Sequence, residues 1–363
     1  MRAKALALST APMFTPDQYE LLDFGDGRRL ERFGNVTLDR PCPAAEHVLP
    51  ADPAAWDKAD ARFDRTDADE GVWTFRRELP ERWTISHGPL MLDVRPTAFG
   101  QVGLFPEQAE NWDWIAAQLH RRAGMAGMPP VTPLPLGEAP TSGYPGVRAP
   151  RASGSPPERD RELTPAPPDS LSEPLGVLNL FAYTGASTLA AAAVGAEVTH
   201  VDAARNMVAW ARRNAASSDL AGAPIRWLVE DAAKFVRREI RRGNHYDAVI
   251  LDPPSYGHGP HGEVWRLSQR LGRLLELCGR LTAPRRQFML LTCHTPGFTP
   301  SRLRELMAET IGQSGRITAG PLVLRTADGR ELPSGAVVRW EDPGLGSSAS
   351  GLGTRTQDPR PKT

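Results

Sequence analysis

Three acidic residues and a cysteine stand where short apolar runs stop. Asp202 follows Ala196–Val201, Asp231 follows Ile225–Val229 after one residue, Asp252 follows Tyr246–Leu251, and Cys293 closes the run Gln287–Thr292. If those runs are strands, their carboxyl ends are where an open α/β sheet binds ligands. A carboxylate there accepts hydrogen bonds from ribose hydroxyls or from an adenine amino group. It also serves as the N-cap of a following helix. For Asp202 and Asp231 the sequence leaves both roles open. Asp252-Pro253-Pro254-Ser255 is more specific. Its two prolines fix the backbone and remove two N–H donors, so a carboxylate and free carbonyls face whatever lies over the strand ends. Gly185, after Val177–Phe181, lets backbone approach a ligand closely. One glycine is a weaker pyrophosphate cradle than a G-x-G-x-x-G loop, which argues against a nicotinamide enzyme. His258 and His261 lie three apart in a glycine-rich loop, but no cysteine or carboxylate spacing completes a metal site. No metal is expected, and the loop is read as a gate over the site. Cys278 has the setting of a core residue, and Cys42 sits between two prolines.

These residues need a scaffold, and the chain spells one out. After residue 171, apolar runs of strand length alternate with helical patterns. Strands are expected at Val177–Phe181, Ala196–Val201, Ile225–Val229, Tyr246–Leu251 and Gln287–Thr292. Helices are expected at Thr184–Val194, Ala203–Ala216, Ala232–Arg242, Glu263–Leu281 and Arg302–Ser314. Two last strands flank Asp328-Gly329, a hairpin turn that makes the final strand antiparallel. The alternation predicts a doubly wound α/β sheet. Residues 1–137 read as a smaller β-rich region. Tyr19–Phe24 and Arg29–Phe33 form a hairpin there, with further strands at Trp73–Phe75, Trp83–Ile85 and Leu90–Val94. Pro106 opens a helix whose Trp112, Ile115 and Leu119 share a face. Residues 138–170 read as a disordered Pro/Gly-rich linker, 171–341 as the α/β domain, and 342–363 as a disordered tail.

Composition narrows the function. The 363 residues carry 43 basic and 43 acidic side chains, which excludes a polyanion-binding tail. The balance hides an asymmetry: residues 1–140 carry six more acids than bases, and 171–340 six more bases than acids. Three cysteines make no disulfide framework. No apolar run approaches the length of a membrane span. A cytoplasmic protein without membrane contact is expected.

Asn179-Leu-Phe-Ala-Tyr-Thr-Gly185, Asp202, Asp231 and Asp252-Pro-Pro-Ser255 together resemble the class I S-adenosylmethionine-dependent methyltransferases, over residues 177–340. The chain is most similar to the bacterial large-subunit rRNA methyltransferases of the cytosine-C5 type and their relatives. Phe99–Gln108 resembles the hairpin and turn those enzymes place ahead of the catalytic domain, with Phe105-Pro-Glu-Gln108 where they carry Leu-Asp-Gln-Arg. The resemblance implies a Rossmann-like fold with a mostly parallel seven-stranded sheet and an antiparallel last strand. It also implies S-adenosylmethionine as cofactor and RNA as partner. Phe181, Tyr183, Thr184 and Gly185 would pass under the methionine and ribose, Asp202 would hold the ribose and Asp231 the adenine. Asp252 and the Pro253 carbonyl would face the target atom. Cys293, in Leu291-Thr292-Cys293-His294, stands where the RNA cytosine-C5 enzymes carry Thr-Cys-Ser. There it would add to C6 so that C5 becomes nucleophilic. Two other readings stay open: an amino-group or small-molecule methyltransferase with Cys293 idle, and a non-catalytic S-adenosylmethionine-binding assembly factor.

Overall fold

The structure, a computed structural model, describes residues 13–67, 70–122, 174–258, 262 and 264–343. The expected linker, His261, and all but the first two residues of the expected tail lie outside the described residues.

The first part of the chain builds a five-stranded sheet from β1 (Tyr19–Gly25), β2 (Arg28–Phe33), β3 (Val36–Pro41), β4 (Ala61–Arg65) and β5 (Gly71–Phe75), with a short helix α1 (Pro53–Trp56) before β4. The strands lie in chain order. The expected first hairpin forms. Asp26 and Gly27 both have positive φ, as a two-residue turn matched to strand twist requires. Inside this sheet charge is buried in pairs. Glu31 accepts from Arg40 and from the Tyr19 hydroxyl, and Arg28 donates to Asp39 at 2.5 Å. A second hairpin, β6 (Trp83–His87) with β7 (Leu90–Val94), leads to α2 (Ala109–Arg122).

The second part alternates: β8 (Gly176–Leu180), α3 (Ala186–Ala192), β9 (Glu197–Asp202), α4 (Arg205–Ser217), β10 (Ile225–Val229), α5 (Ala232–Arg241) and β11 (Ala248–Leu251). A small hairpin follows, β12 (Tyr256–His258) with β13 (Val264–Arg266). Then come α6 (Leu267–Thr282), β14 (Phe288–Cys293), α7 (Pro300–Ile311), β15 (Arg316–Arg325) and β16 (Glu331–Glu341). The large sheet runs β10-β9-β8-β11-β14-β16-β15, and only β16 is antiparallel to its neighbours. This is the expected Rossmann-like arrangement. The strand order reverses between β8 and β11, so the ligand crevice belongs at their carboxyl ends, Phe181 and Asp252.

Helices cover both faces, which is why these strands are apolar throughout. Leu178, Val249, Leu251, Met289 and Leu291 pack with α5, α6 and α7. Val177, Ala248, Ile250, Phe288 and Leu290 pack with α2 and α3. Helix α2, from ahead of the Pro/Gly-rich segment, thus completes a layer of the large sheet, with Trp114 edge-on to Phe288 at 5.2 Å. The second hairpin is also tied across: Met91 N–H donates to Ser218, which caps α4, and Asp93 N–H to Asn214 of α4, at 2.9 Å each. The first part therefore lies against the sheet's ligand end. The glycine-rich stretch after Ser255 departs from a plain loop by folding into β12–β13. As a result α6 begins at Leu267 rather than at Glu263.

Candidate cofactor and acceptor site

The turn after β8 is under strain. Phe181 and Tyr183 have φ of 56° and 49°, and Gly185 has 90°. A non-glycine residue in that region costs on the order of 1–3 kcal/mol and persists only where its surroundings hold it. Here they do. Ala182 N–H donates to the Val201 carbonyl at 3.1 Å. Tyr183 N–H donates to Asp202 Oδ2 at 2.8 Å. Thr184 Oγ1 donates to the Gly103 carbonyl and Asn214 Nδ2 donates to the Thr184 carbonyl, both at 2.8 Å. Gly185 is close-packed, since a Cβ there would lie 2.9 Å from the Ala211 methyl.

The turn walls a cavity of about 480 Å³ over the strand ends, in the range of small-molecule sites. Phe181, Tyr183, Asp202, Asp231, Asp252 and Pro253 all line it. Thr184 and Gly185 do not; they face a narrow crevice of about 40 Å³ behind the turn. With its hydroxyl spent on Gly103, Thr184 supports the turn instead of offering a side chain to a ligand. Asp202 accepts from Tyr183 N–H and from Ala204 N–H at 2.8 Å each. Burial still prevails and raises its pKa above the ordinary carboxylate value. Asp231 caps α5 through Lys234 N–H at 2.8 Å and also lines the cavity. Glu230 also lines it and is held by Arg238 at 2.5 Å.

Asp252 gathers three donors. Thr292 Oγ1 lies 2.6 Å from Oδ1, Gln108 Nε2 3.2 Å from Oδ2, and His294 Nε2 3.4 Å from Oδ1. Burial works against its charge, but His294, Thr292 and Gln108 outweigh it and hold the carboxyl below its ordinary pKa. His294 gains in turn. Burial alone would lower its pKa, yet Asp252, then Glu107 at 4.0 Å and the Ser334 carbonyl at 2.6 Å, raise it from 6.5 to about 9. The charged pair therefore favours folding fully below pH 6.5, and that contribution is lost as pH rises through about 9. Thermal melts should show a fall in Tm between these limits that is flattened in His294→Asn. A parallel fall in the variant would remove this assignment.

The prolines are braced from β13. Trp265 Nε1 donates to the Pro254 carbonyl at 2.6 Å, and its ring meets Phe181 at 5.0 Å between centroids. Ser255 and Thr295 hydroxyls are 2.6 Å apart. Phe105 closes one side against Tyr183 and His294, at 5.1 and 6.2 Å. Gln101 and Trp265 line the cavity and Gln108 and Thr292 join the Asp252 network, none of them marked by a local sequence pattern. Gln108 belongs to the divergent turn Phe105-Pro-Glu-Gln108, which gives no local signal of this contact.

Cys293 is not in this group. Along β14, Phe288 and Leu290 face α2, and Thr292 continues that face toward Gln108. Met289, Leu291 and Cys293 face α6 and α7. Cys293 is 1% exposed, does not line the cavity, and has its thiol pKa raised by burial. A thiol turned into the core and held protonated lacks the access and the thiolate that a nucleophile needs. This setting does not favour the nucleophile role expected for Cys293. Among the described residues no group of three metal-ligating side chains assembles, and no helix is long and apolar enough to cross a membrane.

The donor set fits a nucleoside sulfonium. Carboxylates stand at the ends of β9 and β10, apolar Val201, Ala203 and Ala232 lie between them, and the Asp252 carboxylate stands beside the strained turn. Residues 172–314 match the family model of S-adenosylmethionine-dependent methyltransferases. A crystal structure of an S-adenosylmethionine-dependent methyltransferase from Agrobacterium tumefaciens is 33% identical. It covers 93% of this chain and 95% of that one, with a TM-score of 0.74. A methyltransferase crystallised with S-adenosylhomocysteine shares the fold at 16% identity and a TM-score of 0.61, over 90% of this chain and 75% of that one. Among curated proteins, the ribosomal RNA large subunit methyltransferase K/L of Hahella chejuensis is 38% identical over 109 residues. That match covers 30% of this chain, which spans only 15% of the relative's length. With a full-length relative of this identity, the matched model, and a cavity built from the expected strand ends, the chain belongs to the S-adenosylmethionine-dependent methyltransferase family, and S-adenosylmethionine is its cofactor.

Proposed function

We propose that the protein methylates a nitrogen of an RNA base, in the cytoplasm. The observation that carries the choice of atom is the pairing of Asp252 and Pro253 with Asp202 and Asp231 in one cavity that Cys293, 1% exposed, does not line. S-adenosylmethionine held here would supply an electrophilic methyl to the acceptor nitrogen's lone pair and would leave as the neutral thioether. The chain's own residues do the rest. Asp202 takes the ribose hydroxyls and Asp231 the adenine amino group. Phe181 and Tyr183 would form part of the wall around the cofactor. Asp252, kept ionised by three donors, accepts a hydrogen bond from an acceptor N–H, and the Pro253 carbonyl faces the same atom. A carboxylate so held is an orienting group and a poor proton acceptor, so the proton lost after transfer goes to water. RNA is favoured by the names of the curated relatives and by the basic surplus of residues 171–340.

The test is methyl transfer from labelled S-adenosylmethionine to rRNA taken from cells lacking the gene. Cys293→Ser should retain turnover within about threefold of wild type, since no thiol adduct is formed. Cytosine-C5 chemistry instead demands a loss of several orders of magnitude, because a hydroxyl is a far poorer nucleophile. Transfer to that rRNA by neither protein would end the RNA reading.

A further inference from the structure

Behind Asp252 runs a buried line of three polar side chains from two distant parts of the chain, β16 and the start of α2. Arg339 Nη2, on β16, donates to Asn111 Oδ1 of α2 at 2.6 Å. Asn111 Nδ2 donates to Gln108 Oε1 at 2.7 Å. Gln108 Nε2 then faces Asp252 Oδ2 and Thr292 Oγ1, each at 3.2 Å, and His294 Nε2 at 3.4 Å. Arg339, Asn111 and Gln108 are 6%, 0% and 6% exposed, so water does not compete for these groups.

An amide can present either end to a neighbour, and its orientation is set by its partners. Arginine has donors only. Asn111 must therefore turn its oxygen to Arg339 and its NH2 to Gln108. Gln108 must turn its oxygen to Asn111 and its NH2 to Asp252. One guanidinium at the start and one carboxylate at the end fix both amides, and each bond polarises the next in the same direction. We propose that Arg339, Asn111 and Gln108 are positioning residues for methyl transfer, a one-way relay that aims the Gln108 amide at Asp252 and holds that carboxylate toward the acceptor. The relay rests on the proposed role of Asp252 and needs no particular RNA. It explains why α2 and the antiparallel last strand belong to the working site although neither supplies a cavity wall.

The charged and titratable groups facing this point are Asp252 from the end of β11, His294 from the end of β14, and Glu107 from the turn before α2. A change of relay polarity should register on His294, whose ring adjoins the Gln108 amide. Asn111→Asp provides it with almost no change of shape. Aspartate accepts from Arg339 and again from Gln108, so the Gln108 amide turns over and its oxygen meets Asp252 and His294. Nitrogen-15 NMR titration of the full chain should then show the His294 pKa about one unit higher than in wild type, from the added acceptor. Transfer to rRNA from cells lacking the gene should fall about tenfold or more in kcat, with S-adenosylmethionine affinity within about twofold. Gln108→Met removes the donor outright. It should lower kcat similarly and substitutes as the test if Asn111→Asp melts early. Unchanged His294 titration with unchanged kcat in Asn111→Asp, or a loss of cofactor affinity as large as the loss in kcat, overturns the relay. If wild type fails to methylate the rRNA, the RNA reading fails, and the His294 titration alone decides the relay.

Discussion

Asp252→Asn should abolish methyl transfer, by at least about a hundredfold, while leaving S-adenosylmethionine affinity within about threefold of wild type. The substitution keeps the shape and removes the charge. It also turns an acceptor-only group into one with an NH2 end. Thr292, Gln108 and His294 all point donors at this carboxylate, so the new NH2 meets a donor whichever way it turns. The acceptor N–H loses its anionic partner at the moment positive charge develops on that nitrogen. His294 loses the neighbour that contributes most to its raised pKa, so its titration should move down from about 9. Single-turnover transfer and calorimetry on the same preparation separate the two effects. Transfer within tenfold of wild type, with His294 still titrating near 9, would show that Asp252 does not face the acceptor.

Asp202→Ala should weaken S-adenosylmethionine binding by about 1–3 kcal/mol, some 5- to 150-fold, as a lost charge-assisted pair. Part of the loss is indirect. Asp202 also holds Tyr183 N–H and Ala204 N–H, and without it the left-handed residues Phe181 and Tyr183 lose a restraint that keeps the turn strained. Asp202→Asn retains one acceptor oxygen and should fall between wild type and alanine. Equal affinities across the three proteins by calorimetry would place the ribose elsewhere.

Much of this site could be read from the chain because its parts lie at strand ends. Ile225–Val229 is a strand at the residues its pattern marks, and the strands around Asp202 and Asp252 are shifted or shortened by only one or two residues. Strand β3 and strand β4 escaped notice for a physical reason. Asp39, Arg40 and Arg62 break the apolar pattern, and only the folded sheet shows them paired, Asp39 with Arg28 and Arg62, Arg40 with Glu31. Trp265 looked like part of a long helix, but its indole is needed at the Pro254 carbonyl and the backbone forms a hairpin to deliver it. Cys293 could not be assigned a side in advance, because a strand buried on both faces shows no alternation. Only the packing of Met289 and Leu291 with α6 and α7 fixes its direction. Gln108 and Arg339 were out of reach altogether. Their partners Asp252 and Asn111 lie 144 and 228 positions away, and nothing local in either stretch announces the contact.

The central claim is transfer to a base nitrogen of RNA, and mass spectrometry of rRNA nucleosides from cells with and without the gene tests it most directly. The account predicts that one N-methylated nucleoside disappears with the gene and returns with wild type and with Cys293→Ser, but not with Asp252→Asn. Loss of 5-methylcytidine instead, or an rRNA nucleoside profile identical in the two strains, would contradict it.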